Sequence, residues 1–259
     1  MECFRAFSSE LLKMRRSWAF TLSIAAPLGV TLLIFLLAAL DVPNKEWNDV
    51  WIFYLRGIVW SWVLMMLPFY VALLLALIAS IDHNAAAWKL LLAQPVSRPP
   101  LYVAKLAVAC LLVAWSNVVL ATASLALGFL LRRLRPDMGN FGPGVDLGHF
   151  LAMLALAYVA GLLMIAIHAW LSMRSSSFVL SLAVVIFAVI PNFLGFQQEQ
   201  LQKHWPWLFP FDAVRLYGLQ PRDTILHFWS IQHLSIVSVL GAALVTSMAI
   251  WDFSRREAA

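Results

Sequence analysis

The sequence predicts an all-α integral membrane protein: six transmembrane helices, an N-terminal helix lying in the membrane interface, and a short helix in the loop between the second and third spans. Three observations predict it. Hydrophobic residues make up 63% of the chain and charged residues 12%, against about 45–50% and 25% in soluble domains. Six segments are apolar over the roughly 20 residues needed to cross hydrocarbon. The net charge of +5 comes from Lys and Arg gathered at the ends of those segments. A nucleic-acid binder would instead show a basic stripe interleaved with aromatics, so the charge reads as an orientation signal.

Residues 2–17 come first. Phe4, Phe7, Leu11 and Met14 recur at helical spacing, with Arg5, Ser8, Ser9, Lys13 and Arg16 elsewhere on the helix. That pattern suits a helix lying in the interface, apolar face down. The spans follow as Trp18–Leu40, Gly57–Ile81, Leu106–Leu131, Phe150–Met173, Phe178–Phe196 and Leu234–Trp251. The first is an uncleaved anchor, since its apolar stretch exceeds the roughly 7–15 residues of a signal-peptide core. The loop 41–56 places Trp47 and Trp51 as interface anchors. Residues 132–149 hold Pro136, Gly139, Gly142, Pro143 and Gly144, which is turn chemistry. Residues 174–177 join the fourth and fifth spans in a tight hairpin. The longest connection, 197–233, has aromatics from Trp205 to Phe211 suited to the headgroup layer, flanked by two short helices over 212–219 and 223–231. Cys3 and Cys110 read as free structural thiols. The whole of residues 1–259 reads as one transmembrane domain.

Six spans place both termini on one side, and the positive-inside rule places that side in the cytoplasm. Lys13, Arg15 and Arg16 precede the first span and Asp41 follows it. Arg132, Arg133 and Arg135 fall on the outer side and weaken the overall bias.

The segment 82–105, DHNAAAWKLLLAQPVSRPPLYVAK, is the polar interruption of most interest. Asp82 or Asn84 can cap a helix beginning at Ala85. Trp88, Leu91 and Leu92 then share one face. Pro95 stops the helix, and Pro99-Pro100 breaks the chain again before the third span starts near Tyr102. The product is a compact cytoplasmic knob with Trp88 as its anchor and Arg98 and Lys105 beside it. From these residues alone, the knob either contacts a partner protein or rests on the lipid surface.

Asp82, Trp88, Lys89, Leu91, Pro95, Val96, Ser97, Arg98, Tyr102 and Lys105 together resemble the loop between the second and third spans of type-2 permeases of the ATP-binding-cassette (ABC) family. Residues 10–17, ELLKMRRS, are similar to the start of such permeases. The Trp-Lys and Pro-Val-Ser-Arg forms are closest to the bacitracin and lantibiotic self-immunity branch. The resemblance implies that this loop is a coupling helix, with Asp82, Trp88, Lys89, Leu91, Leu92 and Arg98 seated in a cytoplasmic P-loop ATPase. It also implies a second permease, a copy or a paralogue, and a plasma or bacterial inner membrane location. The expected function is the membrane subunit of an ATP-driven exporter for an amphipathic peptide antibiotic or lipid-like compound.

The residues set limits on that function. A phosphate-cradling loop needs Gly-Lys-Ser/Thr, and none of Lys13, Lys45, Lys89, Lys105 or Lys203 follows a Gly. The chain is therefore not expected to be an enzyme or to hold a cofactor; ATP and Mg belong to the partner. The acids fall in loops or at span ends, which counts against ion-coupled transport. Asn117, Thr122 and His168 are the candidate lining of a translocation path. Helix–helix hydrogen bonding by Ser116, Asn117, Thr122 and Ser124, and packing of His168, are the more ordinary uses of such groups. No His-Glu-x-x-His or Gly-x-Ser-x-Gly occurs, and no metal site is expected. Two competing readings remain at this stage. One is a membrane enzyme acting on a lipid-linked substrate through residues 204–212. The other is a non-catalytic membrane scaffold.

Overall fold

The computed structural model describes residues 2–40, 49–84, 98–141, 144–175, 177–194, 204–218 and 224–255. It gives backbone only at 2–3, 82–84, 98, 193–194 and 224–229. The elements are α1 (Glu2–Met14), α2 (Trp18–Leu40), α3 (Val50–Ser61), a π-helical turn (Trp62–Met66), α4 (Leu67–Asn84), α5 (Arg98–Leu134), α6 (Leu147–Ala160), α7 (Leu162–Arg174), α8 (Phe178–Leu194), α9 (Phe209–Gly218) and α10 (Thr224–Arg255). A single 3₁₀ turn, Pro136–Met138, follows α5. Four of these are apolar and long enough to cross a membrane: α2, the continuous run Val50–Ile81, α5, and α10 from Ser230. The α6–α7 pair, bent by 42° at Gly161, is long and apolar enough for a fifth when taken as one broken span, and Phe178–Asn192 is a shorter apolar helix.

Several boundaries differ from expectation. The second span starts at Val50 rather than Gly57, because Asp49 caps α3 by accepting from the Ile52 N–H at 3.0 Å. Trp51 is therefore no interface anchor. It is 2% exposed and meets Phe129 and Phe141 edge-on at 5.0 and 6.1 Å. Gly128 of α5 lets that ring approach; a Cβ there would strike the indole. Pro99 and Pro100 do not break the chain before Tyr102. They occupy the first turn of α5, where the missing N–H has no helical partner to lose. Asp82 is not a cap either, since α4 continues through it to Asn84. The second flanking helix, 223–231, forms the first turns of α10 instead of a separate element, whereas the first corresponds to α9. Trp205 and Trp207 turn inward: the indole N–H groups donate to the Ala188 carbonyl at 2.9 Å and to His168 Nε2 at 3.0 Å. The turn after α5 is as expected, with Gly139 and Gly144 at φ 128° and 145°. The hairpin at 174–177 is looser than expected, since α8 packs chiefly on α4. Trp47 lies outside the described residues.

Three irregularities of the helices are each matched by a polar side chain from a neighbour. Pro27 lacks an N–H, so the Ser23 carbonyl one turn earlier has no helical partner; Ser116 Oγ of α5 lies 2.9 Å from it. Pro68 likewise frees the Leu64 carbonyl beside the π-turn, and Asn192 Nδ2 of α8 donates to it at 3.2 Å. At the α6–α7 break, Ser238 of α10 donates to the Ala160 carbonyl at 2.8 Å and accepts from the Leu163 N–H at 3.1 Å. Within hydrocarbon no water is available for such groups, so neighbouring helices must supply the partners. These joints fix how α2 sits on α5, α8 on α4, and α10 on α7.

Candidate functional site

The loop 85–97 is bracketed by the end of α4 and the start of α5. Trp88, Lys89, Leu91 and Leu92 lie outside the described residues, as do the side chains of Asp82 and Arg98. What the structure does describe is the base on which that loop stands. Lys105, two turns into α5, is 1% exposed, and its Nζ lies 2.8 Å from Glu10 Oε2 of α1. Glu10, equally buried, also accepts from Lys13 Nζ at 2.7 Å through Oε1. The carboxylate thus bolts the interfacial helix to the helix that leaves the loop. Lys105 is therefore buried, whereas the sequence placed it beside an exposed knob. Burying an ammonium and a carboxylate is tolerable only because each neutralises the other with good geometry.

Two further ties join the same end of the molecule. Tyr102, 1% exposed, packs against Phe253 of α10 with ring centroids 6.2 Å apart. At the end of α7, Arg174 Nη1 and Trp170 Nε1 both donate to the Asp252 carboxylate, at 2.7 and 3.1 Å. The ends of α1, α7 and α10 and the start of α5 are therefore linked into one face around the base of the loop.

The three candidate path residues do not converge. Asn117 accepts from Trp62 Nε1 at 3.1 Å, tying α5 to the π-turn. Thr122 is exposed and donates to its own helix, at the Val118 and Val119 carbonyls. Both lie along one open groove walled by Leu151, Leu154 and Tyr158 of α6. His168 is elsewhere, fully buried, accepting from Trp207 and crossing that ring edge-on at 5.9 Å. Because Nε2 accepts, the neutral ring carries its proton on Nδ1, which has no partner among the described residues. Asn117 and His168 thus each bond a side chain of another element. Ser116 does the same, with the Tyr70 hydroxyl at 2.6 Å, while Ser124 bonds only its own helix, to the Leu120 carbonyl.

The opposite end holds a second polar cluster. Asp212 of α9 is 3% exposed, with Oδ1 3.4 Å from Arg215 Nη2. Arg56 donates to the Gly218 carbonyl at 2.9 Å and lies over the Trp60 ring. His149 stacks on Tyr217 at 4.6 Å. No group of three metal-ligating side chains occurs among the described residues.

Sequence reasoning missed Glu10 as a structural hub, although one signal was available. Glu10 falls between Phe7 and Met14 on the apolar stripe of α1, and an acid on such a stripe needs a buried cation. The signal for Lys105 was weaker, because a lysine near a span end ordinarily snorkels to water.

A bundle of long apolar helices, with Ser116, Asn192 and Ser238 bridging the helix irregularities, defines a multi-pass membrane protein. Residues 6–192 match the family described as ABC-2 family transporter protein. The chain belongs to that family, and it is a membrane component of a transporter. No curated protein matches it.

Proposed function

We propose that this chain is the transmembrane subunit of an ATP-driven exporter. A separate cytoplasmic P-loop ATPase, which binds ATP and Mg, seats on the loop 85–97 through Trp88, Lys89, Leu91 and Leu92, flanked by Asp82 and Arg98. A second permease, a copy or a paralogue, completes the membrane part. The chain crosses the plasma or bacterial inner membrane six times, with both termini in the cytoplasm. The expelled compound is an amphipathic peptide antibiotic or a lipid-like molecule, in keeping with the resemblance to the self-immunity branch.

The observation that carries this reading is membership of the transporter family over residues 6–192. Two further facts support it. The chain has no Gly-Lys pair with which to hold a nucleotide. Its loop emerges from a base made rigid by the Glu10–Lys105 pair, which suits an element that transmits force. ATP-driven closure of two ATPase subunits would push on this loop, and α1 and α5 would move with it.

The test is co-purification. The tagged chain, expressed with its native neighbours and gently solubilised, should bring down a P-loop ATPase in near-stoichiometric amount. Trp88→Asp with Arg98→Glu should abolish that association and the resistance it confers. A chain that purifies alone and shows no response to nucleotide would overturn the proposal and favour an enzyme or scaffold.

A further inference from the structure

We propose that the elbow between α1 and α2 is a binding site for an anionic phospholipid of the leaflet on which α1 lies. Two clefts meet there. One is lined by Lys13, Arg15, Arg16 and Ser17 at its mouth and by Leu77 and Ile81 of α4 below. The other is apolar, walled by Leu11, Phe20, Leu111 and Trp115 between α1, α2 and α5. Leu12 and Arg15 line both, so the clefts lie on either side of one rib at the end of α1.

Among the described residues, nothing neutralises the two arginines at the elbow. Arg15 and Arg16 are exposed, and neither side chain has an ion-pair or hydrogen-bond partner among the described residues. The neighbouring acid, Glu10, is already committed to Lys13 and Lys105. Two free guanidinium groups at the start of a membrane span sit at headgroup level, where their planar donors suit a phosphate diester. Trp18, next in the chain, is 77% exposed and belongs at the same level. A soluble anion would not need the second cleft. A phospholipid does, because its acyl chain must run from the phosphate along an apolar wall, and the groove of Leu11, Phe20, Leu111 and Trp115 starts at Arg15. The site is independent of the ATPase and of the exported compound. Since α1 is bolted to α5 through Glu10, a lipid held here would also steady the base of the loop 85–97.

The purified full-length protein is offered phosphatidylglycerol and phosphatidylcholine with identical acyl chains in equal amounts, and bound lipid is counted by native mass spectrometry. Each basic residue near an anionic headgroup favours binding by roughly fivefold. Wild type should therefore retain phosphatidylglycerol over phosphatidylcholine by about tenfold or more, and Arg15→Gln with Arg16→Gln should bring the two lipids level. Arg132→Gln with Arg133→Gln, exposed at the far end of α5, should leave the preference intact. Should the elbow variant fail to insert, salt serves instead. Raising it from about 0.1 to 1 M contracts the screening length from about 10 to 3 Å, and the wild-type preference should collapse. Equal retention of the two lipids by wild type would overturn the proposal. So would a preference that survives in Arg15→Gln/Arg16→Gln, or one lost equally in Arg132→Gln/Arg133→Gln.

Discussion

Glu10 and Lys105 show what a buried pair does in a chain with almost no other buried charge. Each is 1% exposed. Removing Glu10 takes away the carboxylate that Lys13 and Lys105 share, at a cost of up to roughly 3–5 kcal/mol, whereas removing Lys105 leaves Glu10 still paired with Lys13. Removing both leaves only Lys13, which is partly exposed and can turn to water. Glu10→Leu should lower thermal stability in detergent substantially and Lys105→Met less, and the double variant should recover most of the Glu10→Leu loss. Additive losses would mean that the two groups do not depend on each other.

At the scale of elements, the joints between helices govern the packing. If Ser116 is present because Pro27 frees the Ser23 carbonyl, then Ser116→Ala should cost about 1–3 kcal/mol, the penalty for an unpaired buried polar group. Pro27→Ala should shrink that cost, because the helix can then satisfy Ser23 itself. Equal costs of Ser116→Ala in both backgrounds, measured by thermal unfolding, would break the link. This logic also explains what was legible in advance. Apolar length located α2, α5 and α10, because crossing hydrocarbon leaves a long uniform signal. The polar residues of α5 were legible as helix–helix bonding groups, but their partners were not, since neither Ser23 nor Trp62 is near them in sequence. The inward turn of Trp205 and Trp207 was hidden for a related reason. An indole suits a headgroup layer and a buried acceptor equally well, and only the fold brings Ala188 and His168 within reach. The start of the second span was misplaced because Asp49 caps α3 eight residues before the uninterrupted apolar run begins at Gly57. Burial of Lys105 was illegible without the position of α1.

For the whole molecule the question is how many times the chain crosses the membrane, and the ties between its ends argue for an even number. Glu10 meets Lys105, Tyr102 meets Phe253, and Arg174 meets Asp252, which gathers the N-terminal helix, the start of α5, the end of α7 and the end of α10 at one end. The opposite end is marked by the Asn140 carbonyl accepting from the Val50 N–H at 3.0 Å and by Arg56 bonding Gly218. α8 starts just after Arg174, and α9 ends at the far end, where Arg56 bonds Gly218. The 17 residues of α8 span only about 26 Å, short of the roughly 30 Å of hydrocarbon. The Asn192 amide stops at the level of Leu64 and the Trp207 carbonyl. On the proposed six-pass topology, α8 and the inward-folded 204–218 segment share one crossing, and irregular backbone is allowed at depth where protein covers it. Single cysteines introduced at Ser177, Ser254 and Asn140, in a background lacking Cys3 and Cys110, test this with a membrane-impermeant maleimide on intact cells. Position 140 should label from outside, and 177 and 254 only after permeabilisation. Labelling of 254 from outside together with protection of the N-terminus would leave an odd number of crossings and rule out a sixth pass through α8.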